Sequence, residues 1–559
     1  NGQKGDFLHD FPWTIAITRV VTLWVAMVVI PILEVWLIRR QPQKKGTPSI
    51  TDRVQTSYNR LLGWMFRHGW LTLAIGAAVL LSLVLYAPQV RVRMMPVSDR
   101  DQFAVEIYLP QGTGLAETKA VADSVRSLMM RDERVLAITS FIGCSSPRFQ
   151  SSYAPQPGGK NYAQFIVNTT SNEATEGQLD DLTPKWAEAF PQAFVKFKQL
   201  DAQMFDALEF RFYGEDLDSL HYAADQLMAY MRTRPDLLWV HSNYEQPEPI
   251  VEVTLDPVTA SQLGISRSTT SLQLMSQTSG ITATTVWEGN YGLPVVIKDE
   301  RQQKADFSRL RDMYVKPAAS PLPVPLRQVA DVSPSWSERK IVHRNGVRCI
   351  TVTANTQRGV IVGEIEPEIE RVMKHGIHLP QGIRTEIGGE VENDEESMPQ
   401  LGAGLLIAAV IIFFFLLFNF RKYGLTIVSM VAILLFLPGA MFGLWLTGTM
   451  MGMTTIFGFI TLMGMIMRNE ILIFEHAEGL RREGHTARDA AYHAGQRRMV
   501  PIFLTTATTA VGVLPMIISG SSMWKSVGIT IFAGGIGALL LVVTMLPVVY
   551  WKLYDKKKK

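Results

Sequence analysis

The sequence predicts an α-helical membrane bundle joined to a large outer α+β domain of ferredoxin-like subdomains. Three observations predict it. The apolar residues fall in long runs instead of spreading evenly, although hydrophobic residues make up 47% of the chain and charged residues 19%. A polar stretch from 88 to 400 contains no such run. Lysine and arginine collect in alternate connections between the runs.

A transmembrane helix needs roughly 20 mostly apolar residues. Runs at 13–38, 69–87, 401–418, 424–446, 450–474, 499–519 and 524–550 meet that length, giving about seven spans. The connection 39–67 carries Arg39, Arg40, Lys44, Lys45, Arg53, Arg60 and Arg67. Arg421 and Lys422, the stretch 481–498 with Arg481, Arg482, Arg488, Arg497 and Arg498, and the tail 556–559 are basic too. Counting spans, all four fall on one side, and the alternate turns at 448 and 520–522 lack Lys and Arg. The basic side is expected in the cytoplasm. Residues 88–400 then lie outside, in the periplasm of a cell with two membranes.

The outer stretch alternates between strand and helix periods. Residues 103–109 alternate as a strand, 115–130 place Val121, Val125 and Leu128 on one helical face, and 134–141 read as strand again. The same order recurs at 163–167, 178–190 and 194–197, then at 208–213, 217–232 and 239–243, with a further strand at 250–255. Such units suggest helices packed on one face of a sheet. Residues 145–160 are rich in Ser, Pro, Gly and Gln and read as a loop, long for a connector.

A formal net charge of +3 over 559 residues gives no electrostatic reason for a nucleic-acid partner. Two cysteines, Cys144 and Cys349, exclude a disulfide framework and a cysteine metal site, and leave one bridge open. No GxxxxGK[ST] phosphate loop, HExxH pair or hydrolytic triad is visible, so no cofactor and no metal centre are expected. Met94, Met95, Met129 and Met130 read as packing residues. The chain opens at Asn1 with a polar stretch unlike a signal peptide, so it reads as a segment of a longer polypeptide; a processed terminus is the alternative.

The membrane runs hold the chemistry. Arg468, Asn469 and Glu470 interrupt the run 450–474, which continues apolar beyond them. A charge inside a span costs at least roughly 2.5–3.5 kcal/mol, so it is usually functional and partnered. Glu470 lies about 200° around the helix from Arg468, so Arg468 needs a partner on another helix. The alternative is that Arg468 snorkels to the cytoplasmic surface. In the next run Thr505, Thr508 and Thr509 share a face with Arg498 two turns earlier. That stripe suits a wet proton path, or else hydroxyls bonded to their own helix.

The order of these features resembles one half of a resistance-nodulation-division (RND) exporter, in the AcrB-like multidrug exporter family. Met95-Pro96 to Asp99, then Phe103 through Leu109-Pro110-Gln111-Gly112-Thr113 to Thr118, resembles the opening after the first span of a half. PVPLRQVADV at 323–332 resembles the family's VPL..VA.V segment, and Gly388-Gly389-Glu390 to Glu395-Glu396-Ser397 the return into the membrane. GMIMRNEILIF at 464–474 and Arg498 through Pro501-Ile502-Phe503-Leu504-Thr505-Thr506 resemble the coupling spans.

The resemblance implies a C-terminal half. The expected division is 1–60 as the last span of the other half with its linker, and 61–87 as the first span of this one. A first porter subdomain occupies 88–204, a second 205–255 and 344–400, an inserted docking subdomain 256–343, and a five-span bundle 401–559 with a cytoplasmic loop at 475–498. The resemblance makes Arg468, Asn469, Arg498 and Thr505 proton-relay residues, with Arg468 paired to two aspartates of the N-terminal half. The family's lysine is arginine here, which stays charged and so cannot itself exchange protons. The loop 141–156 matches the family's switch loop, with Phe141, Phe149, Tyr162 and Phe165 as expected pocket aromatics. Implied partners are the N-terminal half, two further copies in a homotrimer, a periplasmic adaptor, an outer-membrane channel, the lipid bilayer and small amphiphilic substrates. The expected activity is proton-driven export of drugs, dyes or detergents from the inner membrane by a secondary transporter, not an enzyme. Export of heavy metals, or a membrane-anchored binding subunit without transport, are the alternatives.

Overall fold

The computed structural model describes residues 10–37, 50–95, 99–148, 153, 155–200, 206–244, 247–298, 307–317, 321–338 and 340–555. The chain begins with α1 (Trp13–Leu37), an apolar helix with no buried residue, and α2 (Ile50–Arg67). In α2, Tyr58, Leu62, Met65 and Phe66 are buried against the bundle at helical spacing. α3 (Gly69–Gln89) then leads to the outer domain.

The first outer unit runs β1 (Gln102–Tyr108), α4 (Leu115–Met129), β2 (Val135–Ile142), β3 (Tyr162–Thr169), α5 (Asn172–Ala189) and β4 (Phe194–Gln199). Its antiparallel sheet has the order β2-β3-β1-β4. Phe103, Val105, Ile107, Phe165, Val195 and Phe197 alternate along the strands and meet Val121, Ala122, Val125 and Met129 of α4. The second unit repeats the plan with β5 (Leu208–Tyr213), α6 (Leu217–Arg232) and β6 (Leu237–Ser242), then pauses for an insertion.

The insertion begins at once. β7 (Glu248–Leu255) follows the second unit in sequence but pairs with the later β12 (Ala330–Ser337). Between them stand a hairpin, β8 (Ile281–Glu288) and β9 (Tyr291–Ile297), and the short pair β10 (Tyr314–Val315) and β11 (Val324–Pro325). The PVPLRQVADV segment supplies β11, the buried Leu326 and Val329, and the entry to β12. Every residue of β8 and β9 is exposed. The second unit resumes with β13 (His343–Arg344), β14 (Val347–Thr356), α7 (Val362–Arg371) and β15 (Arg384–Gly389). With β6 paired to β14, its four main strands take the order β6-β14-β5-β15, the same plan as the first unit.

Five helices follow: α8 (Glu390–Phe420), α9 (Tyr423–Thr447), α10 (Met453–Arg482), α11 (Ala487–Ile518) and α12 (Ser522–Tyr554). With α1 and α3, seven helices among the described residues are long and apolar enough to cross a membrane. Gly439 of α9 meets Gly537 of α12 closely; a Cβ on Gly439 would lie 3.1 Å from the Gly537 Cα and 2.9 Å from the Ala533 carbonyl. At the end of the bundle remote from the outer domain Glu478 of α10 pairs with Lys422, and Tyr550 of α12 donates to it at 2.7 Å.

The outer domain is tied to the bundle at several points. Val92 bridges Met451, whose amide donates to the Arg91 carbonyl at 2.8 Å. Asp99 accepts from the Ser522 amide and hydroxyl at 2.5 Å each, capping the start of α12. Met94, Met95 and Met453 pack together beside Leu401, while Met129 lies in the first unit's core and Met130 is exposed. Cys144 is exposed and Cys349 buried, and both are free thiols.

β15 runs directly into α8 through Gly388 and Gly389. Gly389 has φ +77°, a left-handed conformation that favours glycine. A Cβ on Gly388 would overlap the Arg211 guanidinium. Arg211, on the central strand β5, is buried and held by Glu209 at 2.8 Å, Glu386 at 3.0 Å and Glu392 of α8 at 2.7 Å. Burial lifts the Glu209 carboxyl above its ordinary value despite Arg211, whereas the Arg211 hydrogen bond holds Glu392 below its own. A depressed carboxyl stabilises the fold above its unfolded value, and that contribution fades as pH falls through the folded one. Arg211→Met leaves three clustered carboxylates and is expected to cost about 3–5 kcal/mol. Thermal unfolding followed on an outer-domain fluorophore checks this; an unchanged midpoint would show that the cluster does not brace the strand-to-helix junction.

Candidate functional site

The membrane charges sit at the centre of α10. Arg468 lies about 22 Å along the axis from either end of the helix. Its side chain is on an exposed stripe with Ile460, Gly464 and Glu475, and no acidic group pairs with it among the described residues. The sequence turns apolar again at 471–474, so Arg468 lies inside the apolar run, nearer the end remote from the outer domain. The apolar faces around it show that this stripe belongs against hydrocarbon or another helix, and a charge at that depth calls for a polar partner.

The next two residues point the other way. Asn469 is 2% exposed and Glu470 0%. Among the described residues the Asn469 Oδ1 and both carboxylate oxygens of Glu470 have no hydrogen-bond partner, nor does the hydroxyl of Ser429 on α9, the polar group that Glu470 faces. Sequence reasoning singled out Asn469 and set Glu470 aside as unable to share a face with Arg468. The opposite face is the bundle core, so Glu470 is the more deeply enclosed ionisable group. The carboxyl inside an apolar run was the signal that could have found it.

On α11 the hydroxyl stripe bonds to its own helix. Thr505 donates to the Ile502 carbonyl at 3.0 Å, and Thr508 and Thr509 each donate to the Thr505 carbonyl at 2.9 Å. Their protons are engaged, while their oxygens keep acceptor capacity. Arg498 is half-buried, and its Nε has no hydrogen-bond partner among the described residues.

In the outer domain the expected aromatics separate. Phe165 is fully buried in the core beneath α4 and α5, because its position in β3 matches Val105 of β1 on the helix-facing side. It therefore packs the core and offers no wall to a pocket. Tyr162 and Phe141 lie on the opposite face, Tyr162 against Tyr108 with ring centroids 5.1 Å apart. Phe149 lies outside the described residues. Burial first, then the neighbouring Glu106 carboxylate, pushes the Tyr108 hydroxyl above its ordinary value, so it stays a donor.

A cavity of about 880 Å³ separates the two outer units from the helix ends. Its walls include Lys198, Asp206, Trp239, Arg358, Glu390 and Lys525. Arg358 there is paired with Asp180 at 2.7 Å and Glu176 at 3.0 Å. No cluster of three His, Cys, Asp or Glu side chains suited to a metal ion occurs among the described residues.

The sequence pattern of the AcrB/AcrD/AcrF family matches residues 1–554. The swarming motility protein SwrC of Bacillus subtilis (strain 168) is 23% identical over 572 residues, covering 100% of this chain and 53% of that protein. Two crystal forms of a heavy metal efflux pump superpose with TM-scores of 0.79 and 0.77 at 19% and 20% identity. Each superposition covers 91% of this chain and 52% or 53% of the other. The chain thus spans about half the length of the proteins it matches.

Thr505→Ala removes a hydroxyl already bonded to its own helix, so a structural role predicts a stability change within about 1 kcal/mol. A thermal-unfolding midpoint shift far beyond that would show that the hydroxyl bridges helices.

Proposed function

From the premise that this chain belongs to the AcrB/AcrD/AcrF family, of the resistance-nodulation-division type, we propose that it is the C-terminal half of a proton-driven efflux transporter. It works in the bacterial inner membrane as a secondary transporter, exporting amphiphilic compounds such as drugs, dyes or detergents. The observation that carries this reading is Arg468, a permanent cation inside the apolar run of α10 on an exposed stripe of that helix. An arginine there is suited to hold a pair of aspartates, supplied by the N-terminal half, low enough to release protons. Glu470, Asn469 and Ser429 add unsatisfied polar groups on the inner side of the same helix pair.

The hydroxyls of Thr505, Thr508 and Thr509 and the cation Arg498 form the polar line of α11 in this reading. The 1–60, 61–87, 88–204, 205–255 with 344–400, 256–343 and 401–559 division assigns the repeated outer units to substrate handling and the insertion to docking. The exposed hairpin β8–β9, with Val286, Trp287, Tyr291, Leu293 and Val296 uncovered, supports assembly into a homotrimer. A periplasmic adaptor and an outer-membrane channel complete the tripartite pump.

Heavy-metal export is the second reading. The superposed structures are those of a heavy metal efflux pump, and the thioethers of Met94, Met95 and Met453 cluster at the outer helix ends. Thioethers suit soft cations such as copper(I) or silver(I).

Efflux in cells lacking other pumps separates the two. Dyes and detergents exported, and stopped by a protonophore, support the first reading; tolerance to copper, silver or zinc salts alone supports the second. Arg468→Ala is expected to abolish transport while expression and assembly persist, and full retained transport would make Arg468 an anchor. Replacing 281–297 by a short Gly-Ser turn is expected to shift cross-linked trimer to monomer; a persistent trimer would remove the hairpin from the interface.

A further inference from the structure

At the end of the bundle remote from the outer domain, the chain turns from α2 into α3 at His68 and Gly69. The last turn of α12 packs into that elbow. A Cβ on Gly69 would stand 3.1 Å from both the Lys552 Cε and the Trp551 ring, so a residue without a side chain lets α12 reach it.

Trp551 organises what gathers there. Phe66 of α2 stacks on it, with ring centroids 5.4 Å apart and planes 12° apart. The Arg488 guanidinium of α11 lies 5.1 Å from the Trp551 centroid, and the Lys552 ammonium 4.3 Å. The same ammonium lies 5.2 Å from the ring centroid of Trp70, the second residue of α3.

Ring faces attract cations, but two cations drawn to one ring repel each other. Neither Arg488 nor Lys552 forms an ion pair with a carboxylate among the described residues. Lys422 and Arg481, at the same end of the bundle, share Glu478. Arg488 also stands in the first turn of α11, the end of a helix that favours an anion. Beside the two cations Trp64, Trp70 and Leu71 are exposed. Exposed tryptophan at the end of an apolar helix marks the level of lipid headgroups.

We propose that Arg488 and Lys552 form a binding site for the phosphate of an anionic phospholipid, whose acyl chains lie along Leu71 and Ile75 of α3. The guanidinium fork matches two phosphate oxygens, and the ammonium supplies a point charge on the other side. Basic pockets between helix ends are where anionic headgroups dock. The bound lipid would fasten α2, α3, α11 and α12 at one point, whatever the protein exports.

The test is native mass spectrometry of the full-length protein titrated with phosphatidylglycerol or phosphatidylcholine. Wild type is expected to retain phosphatidylglycerol in preference, and the Arg488→Gln/Lys552→Gln double variant to lose roughly tenfold in its affinity. Equal retention of the two lipids by wild type overturns the proposal. The control, Arg482→Gln/Arg497→Gln, removes the same charge from exposed positions away from Trp551 and is expected to bind as wild type does. An equal loss in that control would mean diffuse attraction to the basic surface and overturn the site. Displacement of the lipid by inorganic phosphate would make the occupant a free anion and overturn the lipid assignment. Glutamine keeps part of each stem that packs on Trp551; if the double variant fails to fold, the two single variants are titrated, and unchanged lipid preference in both overturns the proposal.

Discussion

The backbone contact between Gly439 and Gly537 is the constraint around which the bundle is arranged. In lipid, helices gain little from burying apolar side chains against one another, so association depends on close packing and on hydrogen bonds. The glycine pair lets α9 and α12 approach to backbone distance. α12 thereby becomes the central post, packed against α9, α10 and α11. Asp99 caps its outer end, the Tyr58 hydroxyl of α2 donates to its Val543 carbonyl at 2.9 Å, and Tyr550 holds Glu478 at its inner end.

A well-anchored centre leaves the unsatisfied groups at the edges of the packing. Arg468 lies on the outer stripe of α10 and Glu470 on its inner side, so one helix presents a cation to one neighbour and a carboxyl to another. The hydroxyls of α11 are bonded within their own helix. The polar groups of the bundle are therefore not a continuous chain in this conformation. Two outer units with the same strand order sit above it, separated from the helix ends by a charged cavity.

Much of this was legible in the sequence, for identifiable reasons. Helix runs in a membrane must be long and apolar, so the apolar cores could be read, although α8, α10 and α11 run two or three turns beyond them. Strand alternation located β1 to β6. It did not reveal that β7 pairs with β12, because pairing across an insertion of that length leaves no local trace. Arg468 was readable because a charge in an apolar run is conspicuous. Phe165 was misplaced because aromatic character does not say which sheet face a side chain takes; only the register does.

The junction at Gly389 has a mechanical consequence. β15 ends and the 31-residue α8 begins with no intervening loop, and Arg211 and Glu392 clasp the two sides of the join. A helix of that length spans about 46 Å. A tilt of roughly ten degrees at the glycine moves its far end by about 8 Å, while the clasped strand hardly shifts. The second outer unit and α8 are thus joined as hub and spoke: a small rotation above would be carried as a larger displacement to the far end of α8, with a residue lacking a side chain at the join.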